Sequence, residues 1–330
     1  MIRRVLLTGG AGFIGSHLAR LLLAECPDLE VLNLDVLNYA GSEDNLVELR
    51  GNPRHRFVRG NVLDSALVAP LVRECDAVLH LAAQTHVDRS IADPRPFVET
   101  NVAGTQTLLE AVRAADSPIR FVHAGTDEVY GSLAPDSADR FTEDSPLAPR
   151  NPYAASKAAA DMLVSAYGAT HGIDWVIVRS SNNYGPRQFP EKLIPRFVAL
   201  LAEGRKVPLY GDGSHLRDWL HAEDCCRALL AAMRRGGSGE VYNAAGGNER
   251  SNLELARAIL EIMGRGEDMI EFAPDRPGHD LRYAMDCSKA ERELGWKPLR
   301  TGWKSELAAT VRWYLDNPDW LKPRLKQDPA

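Results

Sequence analysis

The sequence predicts an α/β protein, a parallel sheet with helices on both faces followed by a smaller C-terminal substrate-binding domain. Three observations carry that expectation. Short apolar runs alternate with helical stretches through roughly the first half of the chain, the pattern of strands buried on both faces. A glycine cluster lies directly between the first apolar run and the first helix. After Asn183 the alternation gives way to prolines, separate helices and a small strand.

Taken in order, Val5-Leu6-Leu7-Thr8 reads as the first strand, with a helix from Phe13 to Cys26 and a second strand over Val31 to Asp35. Phe57-Val58 and Ala77 to Leu81 supply two more, the latter after a helix over Ser65 to Glu74. Strands over Ile119 to Ala124 and Trp175 to Ser180 are separated by helices over Phe97 to Ala115 and Tyr153 to His171. Beyond Asn183 the expected elements are a helix ending near Ala202, a strand over Val207 to Tyr210, and helices over Asp224 to Arg235 and Leu253 to Met263. A Pro/Gly-rich loop, Ala273 to His279, a helix over Lys304 to Asn317 and a frayed tail from Lys322 to Ala330 complete the chain. Residues 1–182 are expected to form mainly a dinucleotide-binding domain and 183–330 mainly the substrate domain, with later segments returning to the first.

With 330 residues, 45% of them hydrophobic, the chain can bury one large core and a smaller one. A formal net charge of -6 and a pI near 5.9 disfavour nucleic acid and anionic membrane as partners. Cys26, Cys75, Cys225, Cys226 and Cys287 show no paired CxxC spacing, which argues for a reducing, cytoplasmic setting and against a zinc site; no metal is expected. Gly9, Gly10 and Gly12 interrupt the apolar N-terminal run, so neither a signal peptide nor a membrane span is expected there.

Gly9, Gly12 and Gly15 form a GxxGxxG turn between strand and helix. Such a turn lets a pyrophosphate approach the backbone at a helix N-terminus. Asp35 ends the next strand, where a carboxylate takes both hydroxyls of an adenosine ribose and repels a 2′-phosphate. The sheet is therefore read as Rossmann-type and the cofactor as NAD+.

Tyr153 and Lys157 lie four apart at the start of a helix, on one face. In isolation such a pair is more often a core tyrosine beside a solvated lysine. Lys157 is, however, the first of only eight lysines among 39 basic residues, in a chain that otherwise uses arginine. A compact ammonium beside a phenol, with an oxidised nicotinamide, would favour the phenolate as a base. Thr126 follows the neighbouring strand and can orient a substrate hydroxyl toward Tyr153. Directly after it stand two adjacent carboxylates, Asp127 and Glu128, in the run AGTDEVYG.

GGAGFIGSHL, HLAAQTHVDRSI, TDEVYG, PYAASKAAAD, SNNYGPRQFPEKLIP, LYGDGSHLRDWLHAEDC and RPGHDLRYAMD follow one another through nearly the whole chain. In these motifs the sequence resembles the nucleoside-diphosphate-glucose 4,6-dehydratases, typified by dTDP-glucose 4,6-dehydratase, within the extended short-chain dehydrogenase/reductases. The resemblance implies alcohol oxidation by Thr126, Tyr153 and Lys157, with Asp127 as acid and Glu128 as base for the loss of water. It places Phe13, Ile14, Asn38, Asn61 and Val62 around NAD, together with Leu81, Ala82, Ala83, Thr85, Thr100 and Asn182. It implies sugar-nucleotide contacts from Thr85, Thr126, Asn183, Lys192, Leu193 and Pro208, and from Tyr210, Arg217, Asn252, Arg276 and His279. The implied substrate is a nucleoside-diphosphate hexose, dTDP-glucose first, and the implied assembly a homodimer. Spare faces on the Phe97–Ala115 and Tyr153–His171 helices, including Ala158, Ala159 and Ala160, point to the same assembly.

Four positions depart from the pattern: Asn61 stands for the usual aspartate, Thr85 for serine, Gly125 for the serine before the threonine, and Arg187 for tyrosine. Asn61 keeps an acceptor, and Gly125 is expected to leave more space before Thr126. A dehydratase of another sugar nucleotide such as UDP-GlcNAc, and a sugar-nucleotide 4-epimerase, are the alternatives. The epimerase has no role for the pair at Asp127 and Glu128, and a non-catalytic NAD-sensing regulator would not need Tyr153 with Lys157.

Overall fold

The computed structural model describes residues 2–325. The chain runs β1 (Arg4–Thr8), α1 (Phe13–Glu25), β2 (Glu30–Asp35), β3 (His55–Arg59), α2 (Ser65–Arg73), β4 (Ala77–His80) and α3 (Val87–Ala92). A continuous helical segment follows, made of α4 (Arg95–Phe97), a π-helical stretch (Val98–Ala103) and α5 (Gly104–Arg113). Then come β5 (Arg120–Thr126), α6 (Pro152–His171), β6 (Trp175–Ser180), β7 (Asn182–Tyr184), α7 (Leu193–Ala202), β8 (Val207–Tyr210) and β9 (Leu216–His221). After α8 (Ala222–Arg235) and β10 (Glu240–Ala244), the chain continues with β11 (Glu249–Ser251), α9 (Asn252–Ile262) and β12 (Ile270–Ala273). It closes with α10 (Ser288–Leu294), α11 (Trp303–Asp316) and α12 (Pro318–Leu325).

Seven strands form one sheet in the order β10-β6-β5-β4-β1-β2-β3, every neighbouring pair parallel. Alternate residues point to opposite faces. Val5, Leu7, Leu79, Val122 and Val176 pack with α1 and α8, whereas Leu6, Val78, Phe121 and Ile177 pack with α2, α5 and α6. Burial on both faces is why these strands read as unbroken apolar runs. Strand order reverses between β1 and β4, and that switch opens a crevice at the carboxyl ends of the strands.

A third core gathers Tyr184, Phe197, Trp219, Leu255, Trp303 and Tyr314 beside the small sheets β11-β9-β7 and β12-β8. From there the chain returns to the large sheet through β10, which pairs in parallel with β6. Among the described residues no helix is long and apolar enough to cross a membrane.

Three expectations need correction. The single helix expected over Phe97–Ala115 is interrupted by the π-helical stretch Val98–Ala103, whose wider turn carries an extra residue. There the Asn101 amide accepts from Gln84 N at 2.8 Å and donates to Ser156 Oγ at 2.8 Å, clamping the β4–α3 loop to α6. Lys322 to Leu325 are not frayed. They complete α12, where Arg324 donates to Ser42 Oγ at 2.8 Å and Asp44 Oδ2 at 2.9 Å; residues 326–330 lie outside the described residues. Ala158 and Ala160 face inward, and the spare face of α6 is instead Ala155, Ala159, Met162 and Ala166, at the spacing of one helix stripe.

Candidate active site

At the carboxyl ends of β1, β4, β5 and β6 the fold encloses a cavity of about 470 Å³. Its floor is the glycine turn. Gly9 has φ +72°, and a Cβ there would come within 2.7 Å of Ala82 N, so this glycine serves both the turn and the packing. Gly12 differs: only Gly9 O, at 3.2 Å, lies near the position of its absent Cβ. No side chain caps α1 at Gly12, which leaves the first N–H groups of the helix available to an anion.

Asp35 accepts from Ala11 N at 2.9 Å and from Leu37 N at 2.8 Å. Burial raises its carboxyl above the ordinary value while these bonds oppose the rise. A backbone bond from Gly12 acts in the same sense, and the carboxylate still has acceptor capacity beyond these three bonds. Phe13, Ile14, Gly15, Asn38, Asn61 and Val62 line the same cavity, as do Leu81, Ala82, Ala83, Thr85, Thr100 and Asn182. The Asn61 acceptor is engaged locally, Oδ1 taking Leu63 N–H at 3.0 Å, so its amide N–H groups are the part offered outward.

Thr126, Asp127, Glu128, Tyr153 and Lys157 meet in this cavity. Thr126 caps the short turn Asp127–Tyr130: its Oγ1 accepts from Glu128 N at 3.4 Å and donates to Asp127 Oδ1 at 3.2 Å. Asn151 links the two halves. Its Oδ1 caps α6 by accepting from Ala154 N at 2.8 Å, and its Nδ2 donates to Glu128 Oε2 at 3.3 Å. The cap that starts the Tyr153/Lys157 helix thus also holds Glu128.

The two carboxyls are inequivalent. Burial, then the Glu128 charge, pushes Asp127 well above the usual carboxylate range. Burial raises Glu128 too, but Arg276, the Asn151 bond, Lys192 and Arg217 work against it. A protonated acid beside an ionised base is the arrangement such neighbours favour. Burial and then Glu128 also push the Tyr153 phenol up, opposed by a hydrogen bond with Thr126. The phenol needs a positive charge beside it before it can act as a base. Lys157, pulled down to about 8 by burial, donates to Ala124 O at 2.7 Å and contacts His123 Nε2 at 3.1 Å.

Asn183 and Lys192 line the cavity, with Lys192 Nζ donating to Thr85 O at 2.9 Å. Leu193, Pro208, Tyr210, Arg217, Asn252, Arg276 and His279 do not line it. Several form an adjoining wall. Arg217 is buried, donates to Asp280 O at 2.8 Å and lies 4.5 Å from the Tyr283 ring centroid, within electrostatic reach of both acids. Arg276 and Tyr210 both reach Asp88 of α3, at 3.4 and 3.5 Å. His279 stacks on His215 at 3.7 Å, and Asn252 N donates to His215 O at 3.0 Å. Leu193 follows Lys192 at the start of α7, and Pro208 sits inside β8.

His215, Asp275 and His279 could hold a metal ion by ligand type. Burial depresses both imidazoles first, and the charges of Arg217 and Arg276, which depress them further, weigh against a dication there. Gly125 does not widen the sugar site as expected: a Cβ there would meet Arg179 Cγ at 2.9 Å, so the side chain of Arg179 fills that space. Gln84, Ser180, Glu191 and Cys225 also line the cavity but were not singled out from the sequence. Glu191, buried and paired with Arg89 at 3.8 Å, lies inside the run SNNYGPRQFPEKLIP, and Tyr283 inside RPGHDLRYAMD.

The fold and this site define an extended short-chain dehydrogenase/reductase of the sugar-nucleotide dehydratase type, and the chain belongs to the GDP-mannose 4,6 dehydratase family, whose model matches residues 6–304. It is 50% identical over 325 residues to a dTDP-glucose 4,6-dehydratase of Streptomyces griseus, covering 98% of this chain and 97% of that protein. It is 52% identical over 311 residues to the low-salt glycan biosynthesis protein Agl12 of Haloferax volcanii, covering 94% of this chain and 98% of that protein. Among solved structures, the dTDP-glucose 4,6-dehydratase DesIV of Streptomyces venezuelae, with NAD bound, superposes with a TM-score of 0.94 at 49% identity. That match covers 97% of this chain and 99% of DesIV.

Proposed function

We propose that the chain is a dTDP-glucose 4,6-dehydratase, converting dTDP-glucose to dTDP-4-keto-6-deoxyglucose and water. The observation that carries this reading is the buried, inequivalent pair Asp127 and Glu128 beside Thr126, Tyr153 and Lys157. The side-chain-free Gly12 at the cavity, the uncapped start of α1 and the Asp35 carboxylate fit NAD. When bound, NAD+ supplies a hydride acceptor for sugar C4 and returns that hydride to C6, so no external reductant is needed.

The residues account for every proton. Thr126 orients the C4 hydroxyl, and Tyr153 takes its proton as the C4 ketone forms. That ketone acidifies the C5 proton, which Glu128 removes. Asp127, kept protonated by burial and by its neighbour, donates to the departing C6 hydroxyl, which leaves as water. Glu128 then returns a proton to C5, and the proton held by Tyr153 passes through solvent to restore Asp127, so the C4 ketone remains and every side chain ends as it began. Lys192, Arg217 and Arg276 supply cations for the diphosphate, and Tyr210 a surface for the base.

Under this reading residues 1–182 serve mainly the cofactor and 183–330 mainly the sugar nucleotide, with α8 and β10 belonging to the first part. The acidic net charge and five free cysteines fit a cytoplasmic enzyme. The stripe Ala155, Ala159, Met162 and Ala166, with Val98 exposed on the neighbouring segment, fits a homodimer packed helix to helix. The test is an assay of a sugar-nucleotide panel for the 4-keto product. A 4-keto-6-deoxy product from dTDP-glucose supports the reading, and C4 epimers alone would sink it.

A further inference from the structure

Behind Lys157, away from the acid pair, lies a chain of buried polar groups that the chemistry above does not use. His123 Nε2 on β5 lies 3.1 Å from Lys157 Nζ and 3.4 Å from Asp161 Oδ1. Asp161, one helical turn after Lys157 on α6, accepts at Oδ2 from Arg179 Nε at 2.8 Å. Arg179, on β6, also donates to Tyr130 Oη at 2.8 Å, and Tyr130 in turn donates to Asn243 Oδ1 at 2.8 Å. Lys157, His123, Asp161 and Arg179 are each no more than 5% exposed.

Buried charges carry a desolvation cost that apolar packing avoids, so such a chain is weak evidence for stability alone. One end of the chain is the Lys157 ammonium, with His123 against it and Asp161 next to that imidazole. The Gly125 position belongs to the same device, because the space of its absent Cβ is where Arg179 passes toward Asp161.

We infer that Asp161 is a positioning residue for the Lys157 ammonium: its charge acts on the ammonium through space, past the His123 ring, and it is itself aimed by Arg179. This rests on the reading that charged Lys157 is needed for alcohol oxidation. Burial pulls Lys157 down to about 8, and Asp161 acts in the opposite direction. Burial would raise Asp161 itself, but the His123 bond and Arg179 outweigh it and hold the carboxyl below its ordinary value. His123, pushed down to about 4 by burial and then by Lys157, is neutral at pH 7. The other titratable or charged groups around Lys157 are Tyr153, Asp127 and Glu128 in the cavity, His80 on β4, and Cys225 on α8.

Two variants separate positioning from packing. Asp161→Asn keeps the side-chain size and removes the charge that favours the ammonium. Arg179→Gln keeps a donor for Asp161 and removes the guanidinium that helps hold that carboxyl ionised. The experiment is the pH profile of kcat for the unmodified protein and both variants with NAD+ and dTDP-glucose, normalised to folded protein by circular dichroism. A nearby opposite charge moves a pKa by about one to three units. The alkaline limb of Asp161→Asn is therefore expected at least about one unit lower, and that of Arg179→Gln displaced in the same direction by less. Limbs that stay in place, or move to higher pH, overturn the inference even if kcat or stability falls. Should Asp161→Asn fail to fold, Arg179→Gln alone decides, an unmoved limb again overturning it. Absence of 4-keto product from the unmodified protein is a separate failure, that of the dehydratase reading.

Discussion

Asp127→Asn tests two properties of one carboxyl at once. Asparagine keeps an oxygen for the Thr126 hydroxyl, 3.2 Å away in the native site, but supplies no acidic proton. Loss of a general acid costs about 10²–10⁴-fold in rate, or about 3–5 kcal/mol of barrier. Glu128 is untouched, so exchange of the C5 proton with solvent should survive while departure of the C6 hydroxyl fails. Stability should move the other way. An acid whose pKa is raised on folding binds its proton more tightly in the native state, so the native state loses stability as pH rises from the unfolded carboxylate range toward the folded value. Burial and Glu128 raise Asp127 in this sense, and its Oδ2 has no hydrogen-bond partner among the described residues. Asp127→Asn should therefore melt at a higher temperature than the native chain near neutral pH, and the difference should close as pH falls to about 4. The assays are product formation, deuterium uptake at C5, and thermal melts across pH. Near-native elimination would refute the acid assignment, and a stability difference independent of pH would refute the electrostatic argument.

Glu128→Gln keeps the Asn151 contact but removes the C5 base, so single-turnover absorbance should show NADH accumulating while product formation falls about 10²–10⁴-fold; product at near-native rate would reassign the base. Gly12→Ala should place a methyl group 3.2 Å from Gly9 O on the cofactor side of the turn and weaken NAD binding at least about tenfold by calorimetry, a larger effect than on the melting temperature of the NAD-free protein. Gly9→Ala, forced to φ +72° against Ala82, should lose stability as well, of the order of 1–2 kcal/mol for the backbone conformation alone. Met162 is 64% exposed on the spare stripe of α6, and Met162→Glu should convert a dimer to a monomer by light scattering. A native chain that is already monomeric at micromolar concentration would remove the dimer from the account.

What could be read from the sequence was local. The strands Trp175–Ser180 and Val207–Tyr210 coincide with β6 and β8 because both are short apolar runs bounded by turn residues. The glycine turn and Asp35 are legible from their spacing along one strand–helix–strand unit, although Gly9 packs against the distant Ala82. Polar residues buried by long-range contacts were harder to place. β9 (LRDWLH) carries Arg217 and Asp218 inside a buried strand, where Asp218 accepts from Gly247 and Asn248 N–H groups at 3.1 and 3.0 Å. β10 (EVYNA) likewise contains Glu240 and Asn243, and its place depends on pairing with β6. α3 starts at His86, whose imidazole accepts from Arg89 N at 3.2 Å, a cap that composition does not advertise. The π-helical stretch was hidden because its apolar spacing resembles that of an ordinary helix. The proposed acid and base, Asp127 and Glu128, are adjacent in sequence, whereas His123, Asp161 and Arg179 meet only after β5, α6 and β6 are assembled.

The most direct test of the central claim is conversion of dTDP-glucose in D2O by the purified protein with NAD+, followed by nuclear magnetic resonance and absorbance. The account predicts dTDP-4-keto-6-deoxyglucose carrying deuterium at C5, with the C4 hydrogen moved to C6 and no net NADH formed at steady state. A product epimerised at C4 with its C6 hydroxyl retained, or consumption of one NAD+ per turnover, would contradict it.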